Sequence, residues 1–152
     1  MKYLIPIALI MMLLSGCATS EKAPSYAEAP VPIKSTKNAV LYIYRKYAQP
    51  TAFSAYLEID GKEAVSLSQE GFTWVYIKPG NHKFKHGWPM FAGMPSVDFE
   101  REFKPGKTYA FEISGRISGM TAETAIKPTN IEYAKQKMAS CCRYVQPSSE
   151  NF

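Results

Sequence analysis

Short runs rich in Val, Ile, Tyr, Phe and Trp recur from residue 39 onward, and Gly or Pro turn signals divide them. Alternation of apolar and polar residues in such runs is typical of strands that bury one face. The pattern predicts seven strands: Val40 to Tyr47, Ala55 to Ile59, Glu63 to Leu67, Phe72 to Lys78, His82 to His86, Val97 to Lys104 and Tyr109 to Ser114. These strands predict a small antiparallel β-sandwich or an open barrel.

Two of the strands have apolar residues at successive positions, Leu41 to Tyr44 and Trp74 to Ile77. Such runs predict strands that are buried on both faces. Asp60 and Gly61 separate two other strands and suit a tight hairpin turn, since glycine accepts a positive φ. We therefore interpret Asp60 as a structural turn residue rather than a catalytic acid.

One helix is predicted near the C-terminus, because Thr129 and Glu132 have the spacing of a capping box. Apolar residues then follow at helical intervals, which predicts a helix to about Ser140 that packs on the sheet through Ile131, Ala134 and Met138.

The segments that flank this pattern differ in composition. Residues 17–38 mix prolines with Ala, Ser, Glu and Lys and have no apolar period, which predicts a flexible tether. Pro147 and the polar residues after it predict a frayed tail over residues 146–152. The folded domain is thus expected over residues 39–145.

The N-terminus has the order of a secretory signal over residues 1–16: Lys2, then an apolar run from Tyr3 to Leu14, then small residues before Cys17. A membrane span needs about 20 apolar residues. The run of 12 residues is too short for a permanent anchor.

The tetrapeptide Leu14, Ser15, Gly16 and Cys17 resembles the lipobox of bacterial lipoproteins. The resemblance implies that the Cys17 thiol receives a diacylglycerol, that the chain is cut before Cys17, and that the new amine is acylated. An ordinary secretory signal is the alternative. Ala18 is not the aspartate that retains many enterobacterial lipoproteins in the inner membrane, so we expect an outer-membrane anchor that faces the periplasm.

The strand sequences Leu41 to Arg45, Leu57 to Lys62 and Tyr76 to His82 resemble, in order and spacing, the bacterial lipoproteins with domain of unknown function 2846. Gly106 to Tyr109 continues the pattern. Related PEGA-type modules of surface proteins share an "IDG" followed by a "PG-H" turn. The resemblance implies a small β-rich envelope domain and implies no reaction.

The chain of 152 residues has a formal charge of +5, and cleavage after Gly16 removes Lys2 and leaves +4. Basic and acidic residues are interspersed, and an exported protein rarely meets nucleic acid. We therefore expect no nucleic-acid partner. Besides the membrane at the lipid, an envelope protein or an anionic glycan is the expected partner.

The sequence offers little reactive chemistry. His82 and His86 lie four residues apart on a predicted strand, about 13 Å, which is too far for one metal ion. No nucleophile-elbow or phosphate-loop motif occurs. We expect no enzyme, no metal and no cofactor; an envelope hydrolase is the weaker alternative.

The loop over residues 87–95 is unusually apolar and holds Trp88, Met90, Phe91 and Met94. It either folds over one end of the sandwich or contacts a partner, with Lys83 and Lys85 supplying charge for an anionic group.

The remaining cysteines, Cys141 and Cys142, are adjacent. Free thiols, a vicinal disulfide and an intermolecular disulfide are all open, although neighbouring Cα atoms are closer than a disulfide usually requires.

Overall fold

The computed structural model describes residues 21–152, and the predicted signal peptide, the lipobox and Cys17 lie outside them. Within that range the helix α1 spans Ile131–Cys141 and a short 3-10 helix spans Met90–Ala92. The strands are β1 (Ala39–Arg45), β2 (Ala55–Ile59), β3 (Lys62–Leu67), β4 (Gly71–Ile77), β5 (Gly80–Gly87), β6 (Val97–Phe103), β7 (Thr108–Ser118), β8 (Thr121–Thr129) and β9 (Arg143–Tyr144).

Two sheets form the body of the domain. The five-stranded sheet has the order β8-β7-β1-β4-β9, and the four-stranded sheet has the order β3-β2-β5-β6. The predicted mainly β sandwich with one helix near the C-terminus is confirmed. The larger sheet is mixed rather than purely antiparallel, because β1 with β7 and β4 with β9 run parallel.

The main core lies between the sheets, since alternate side chains of a strand point to the same face. The larger sheet contributes Leu41, Ile43, Val75 and Ile77, and the smaller sheet contributes Leu57, Ile59, Val65, Phe84 and Phe103. The intervening side chains of β1 and β4 fill a second core on the outer face of the larger sheet. The predicted burial of both faces of these strands is confirmed.

The second core is covered by α1, which packs on the sheet through Ala134 and Met138. Asn130, rather than Thr129, caps this helix: its Oδ1 accepts hydrogen bonds from the backbone N–H groups of Glu132 and Tyr133. Thr129 is the last residue of β8. The predicted capping box was therefore wrong by one residue, while the predicted helix was correct.

The expected tether does not match the structure over residues 24–38, here called the N-terminal arm. This arm crosses the outer face of the larger sheet, where Trp74 Nε1 donates to the Pro30 carbonyl at 2.7 Å and the Tyr76 hydroxyl bonds the backbone of Ile33. Ala29 is buried in the second core. The prediction of flexibility missed these contacts because they join single residues far apart in sequence.

The expected tail is also part of the fold. The backbone N–H of Phe152 donates to the Tyr76 carbonyl, and its carbonyl accepts from Lys78 N. Ser148 N donates to the Ala64 carbonyl, and the Phe152 side chain is buried in the main core. The folded unit therefore includes the arm and residues 146–152, beyond the predicted limits of 39 and 145.

Candidate functional site at the apical end

One end of the sandwich is built from long connections. We call it the apical end: β1 finishes there at Arg45, β5 finishes at Gly87, and the β7–β8 hairpin extends past both. Residues 46–54, residues 88–96 and the hairpin tip at 118–121 are here called the apical loops. The opposite, basal end is where β1 begins, beside the end of β4.

A fully buried arginine organises the first of these loops. Arg45 Nη1 donates to the carbonyls of Phe53 and Leu67, and Nη2 donates to those of Ala48 and Pro50, at 2.7–2.9 Å. Burial lowers the pKa of Arg45 to about 10, so the guanidinium remains charged at neutral pH. The four carbonyl oxygens thus take the place of the water molecules that would solvate an exposed guanidinium.

The β7–β8 hairpin is joined to the loop that this arginine organises. Gln49 N donates to the Gly115 carbonyl, and Gln49 Oε1 accepts from Ile117 N at 2.7 Å. A Cβ at Gly115 would clash with the Gln49 carbonyl oxygen, so the close approach of this strand and loop requires a residue without a side chain. The loop over residues 46–54 is therefore fixed to the β7–β8 hairpin through Gln49.

Trp88, which we expected to contact a partner, is a core residue. Its side chain is only 4% exposed, its ring lies 4.6 Å from the Arg45 guanidinium carbon, and its Nε1 donates to Thr124 Oγ1. An indole that stacks on a buried cation and satisfies its own N–H offers nothing to a partner. The partner-binding prediction is wrong for Trp88.

The next residues of the same loop point outward. Met90 is 96% exposed and Phe91 is 78% exposed, and the Phe91 ring meets Phe53 edge-on at 5.3 Å. Met94 lies partly buried against the main core. The loop thus combines both behaviours that the sequence left open: Trp88 and Met94 anchor it, while Met90 and Phe91 face solvent.

Three further exposed apolar side chains lie at the apical end and were not predicted from the sequence. They are Tyr47, Ile117 and Met120, and Met120 at the hairpin tip is fully exposed. Only the pairing of β7 with β8 brings Ile117 and Met120 to this end. These exposed apolar side chains share one end of the domain, which makes that end a candidate contact surface.

The two lysines expected to supply positive charge lie elsewhere. Lys83 Nζ is 4.0 Å from Glu100 on the neighbouring strand, and Lys85 lies in register between Glu58 and Asp98. Their charges are balanced on the outer face of the smaller sheet. Neither supports an anion site at the apical loops.

The two histidines are structural. His86 is buried, its Nδ1 donates to the Tyr56 carbonyl, and burial lowers its pKa despite that hydrogen bond. His82 lies between two acceptors, with Nδ1 2.6 Å from Asp60 Oδ2 and Nε2 2.9 Å from the Lys78 carbonyl. Among residues 21–152, no three His, Cys, Asp or Glu side chains converge as metal ligands.

Asp60 combines a turn with a contact between strands. It adopts φ 52° in the predicted hairpin turn, and its Oδ1 accepts from Lys83 N at 2.9 Å. Burial would raise the pKa of Asp60, but the bond from Lys83 N, the bond from His82 and the positive charges of both residues outweigh burial and lower it.

This lowered pKa predicts a pH dependence of stability. Ionised Asp60 contributes to the free energy of unfolding. This contribution is complete above the ordinary pKa of 3.8 and is lost as the pH falls through the lower pKa of the folded state. Asp60→Asn keeps an acceptor for Lys83 N and tolerates positive φ, so it serves as the matched variant. Urea unfolding should show a stability difference between the two proteins that shrinks from about pH 5 toward pH 3; a constant difference would contradict the assignment.

Cys141 and Cys142 are bonded to each other as a vicinal disulfide at the end of α1. Of the three open alternatives, the structure has this one. Cys142 is buried in the second core.

One surface groove lies at the basal end, formed largely by the N-terminal arm. A basal groove of about 460 Å³ is lined by polar and basic residues of the arm, including Lys34 and Lys37, with Tyr76 and Asn151. Its lining contains no carboxylate, histidine or cysteine.

In the part of the chain that the structure describes, no helix is both long enough and apolar enough to cross a membrane. No family model matches the chain, and no curated protein matches it either. The resemblance to lipoproteins with domain of unknown function 2846 stays a prediction.

Proposed function

We propose that this protein is a bacterial envelope lipoprotein that is anchored through acylated Cys17 and acts as a non-catalytic binding module. Its binding surface is formed by the apical loops. The outer membrane, facing the periplasm, is the proposed location, and the resemblance to the uncharacterised lipoprotein family belongs to the same proposal.

One observation carries the proposal: Met90, Phe91 and Met120 are solvent-exposed on loops that Arg45, Gln49 and Trp88 hold in place. Binding becomes more favourable when apolar side chains are transferred out of water. A fixed backbone also reduces the conformational entropy that is lost on binding. Among residues 21–152, no three His, Cys, Asp or Glu side chains converge as they would at the metal centre of a metal-dependent hydrolase.

A second candidate surface is the basal groove. Lys34, Lys37 and Tyr76 line it, and cations beside an aromatic ring suit an anionic glycan. Such binding would weaken with added salt, whereas an apolar contact at the apical loops would not.

Photo-cross-linking in intact cells separates these surfaces. A photoreactive amino acid replaces Met90 in one variant and Thr36, in the basal groove, in the matched control. We expect adducts from position 90, in both low and high salt, and none from position 36. Adducts from position 36 alone would favour the glycan-binding alternative, and no adduct from position 90 would contradict the proposed surface.

A further inference from the structure

We propose that the apical loops contact the lipid bilayer to which the chain is anchored, so that the apical end faces the membrane and the basal end points away. This inference rests on the proposed function, and it names the occupant of the same surface.

The first support is the place where the N-terminal arm starts. Tyr144 N donates to the Pro24 carbonyl, and Ser25 forms an isolated antiparallel β-bridge with Arg143. Strand β9, which holds both partners, pairs with the first residues of β4, and Gly71 there lies opposite Arg45. The arm therefore begins at the apical end, beside the strand termini that carry the apical loops.

The second support is the short reach from the proposed anchor. Pro24 comes seven residues after Cys17 along the chain, and a fully extended chain spans at most about 3.6 Å per residue. The lipid-bearing residue therefore lies no more than about 25 Å from Pro24. A tether over residues 17–38, as predicted from the sequence, would have let the domain stand well clear of the membrane in any orientation. Residues 24–38 are bound to the domain as the N-terminal arm, so the tether is much shorter.

The third support is the chemistry of the two ends. Apical Met90, Phe91 and Met120 are exposed on loops that follow strand ends, a placement that lets apolar side chains enter the headgroup region. At the basal end, the exposed Ile33 is flanked by the exposed Lys34 and Lys37 in the groove described above. Among residues 21–152, the apical end alone combines these exposed apolar side chains with the start of the arm.

Tryptophan fluorescence in vesicles tests this orientation. The lipid-anchored protein is reconstituted in phosphatidylethanolamine and phosphatidylglycerol, with or without bromine on the acyl chains as a contact quencher. Phe91→Trp places the probe at the apical end, and Ile33→Trp places it on a similarly exposed apolar position at the basal end. The native Trp74 and Trp88 are buried and provide a constant background.

We expect the emission added by Phe91→Trp to be largely lost in brominated vesicles, and that added by Ile33→Trp to be retained. If both added emissions were retained, or both were lost equally, the inference would be overturned. Flotation of the protein with the vesicles would show in that case that the lipid anchor is still valid. Failure to float would instead remove the anchor and the inference together. Capture of a protein rather than lipid by the probe at position 90 would also overturn it.

Discussion

Replacing Arg45 by Met is expected to lower the free energy of unfolding by about 3–5 kcal/mol. Methionine has a similar length and fills most of the space, but it has no donor for the carbonyls of Ala48, Pro50, Phe53 and Leu67. The Ala48 carbonyl keeps a hydrogen bond from Gln69 Nε2. Each of the other buried acceptors that is left without a partner costs about 1–3 kcal/mol, less where water can reach it. The substitution also removes the cation that stacks on Trp88.

The neighbouring Lys46→Met is the matched control, because Lys46 is exposed and makes no comparable contact in the described residues. Urea denaturation of the three proteins gives the free energies directly. Arg45→Lys should also be strongly destabilised, since one ammonium cannot reach four carbonyls in the geometry of a guanidinium fork. An Arg45→Met protein as stable as Lys46→Met would contradict the structural role assigned to this arginine.

Replacing Cys17 by Ser is expected to move the protein from the membrane fraction to the soluble fraction of the envelope. Without the thiol, no diacylglycerol can be attached, and each buried methylene of an acyl chain contributes about 0.8 kcal/mol of membrane affinity. A few apolar side chains at the apical loops give only a weak and reversible contact compared with several acyl chains.

Cys141→Ser provides the control for this substitution, because Cys141 lies outside the lipobox at the end of α1. That variant should remain in the membrane fraction, even after a wash in high salt without detergent. Retention of Cys17→Ser in the same washed fraction would show that something other than a lipid on Cys17 holds the protein there.

The sequence predicts the central strands well because their signal is local. Apolar residues at successive positions in β1 and β4 reflect burial between two layers, and both strands lie within the core of the larger sheet. Strand β8 was missed because it is an edge strand with mixed exposure and contains Pro128. Proline is tolerated at an edge, where its missing N–H faces no further strand.

The arm and the C-terminal tail could not be predicted, because their order depends on partners elsewhere in the chain. The Pro30 carbonyl is held by Trp74, and Phe152 is held by the backbone of Tyr76 and Lys78. No period of apolar residues reveals contacts that involve one residue at a time. A prediction from composition alone therefore treats such segments as flexible, although they pack on a sheet in an irregular extended form.

The candidate site was predicted in part. The apolar composition of residues 87–95 located one apical loop, but it could not separate the buried Trp88 from the exposed Phe91. Met120 reaches the same end only through the β7–β8 pairing, which the sequence did not predict. Arg45 carried a usable signal: it continues a strand that is buried on both faces, where a charged residue must find several partners.

The intact mass of the protein extracted from membranes tests the lipid anchor most directly. The proposal predicts a chain that begins at Cys17 and carries a diacylglycerol with an additional acyl group, together with two hydrogens missing for the disulfide of Cys141 and Cys142. A mass that corresponds to the unmodified chain, whether it begins at residue 1 or at residue 17, would contradict the lipid anchor.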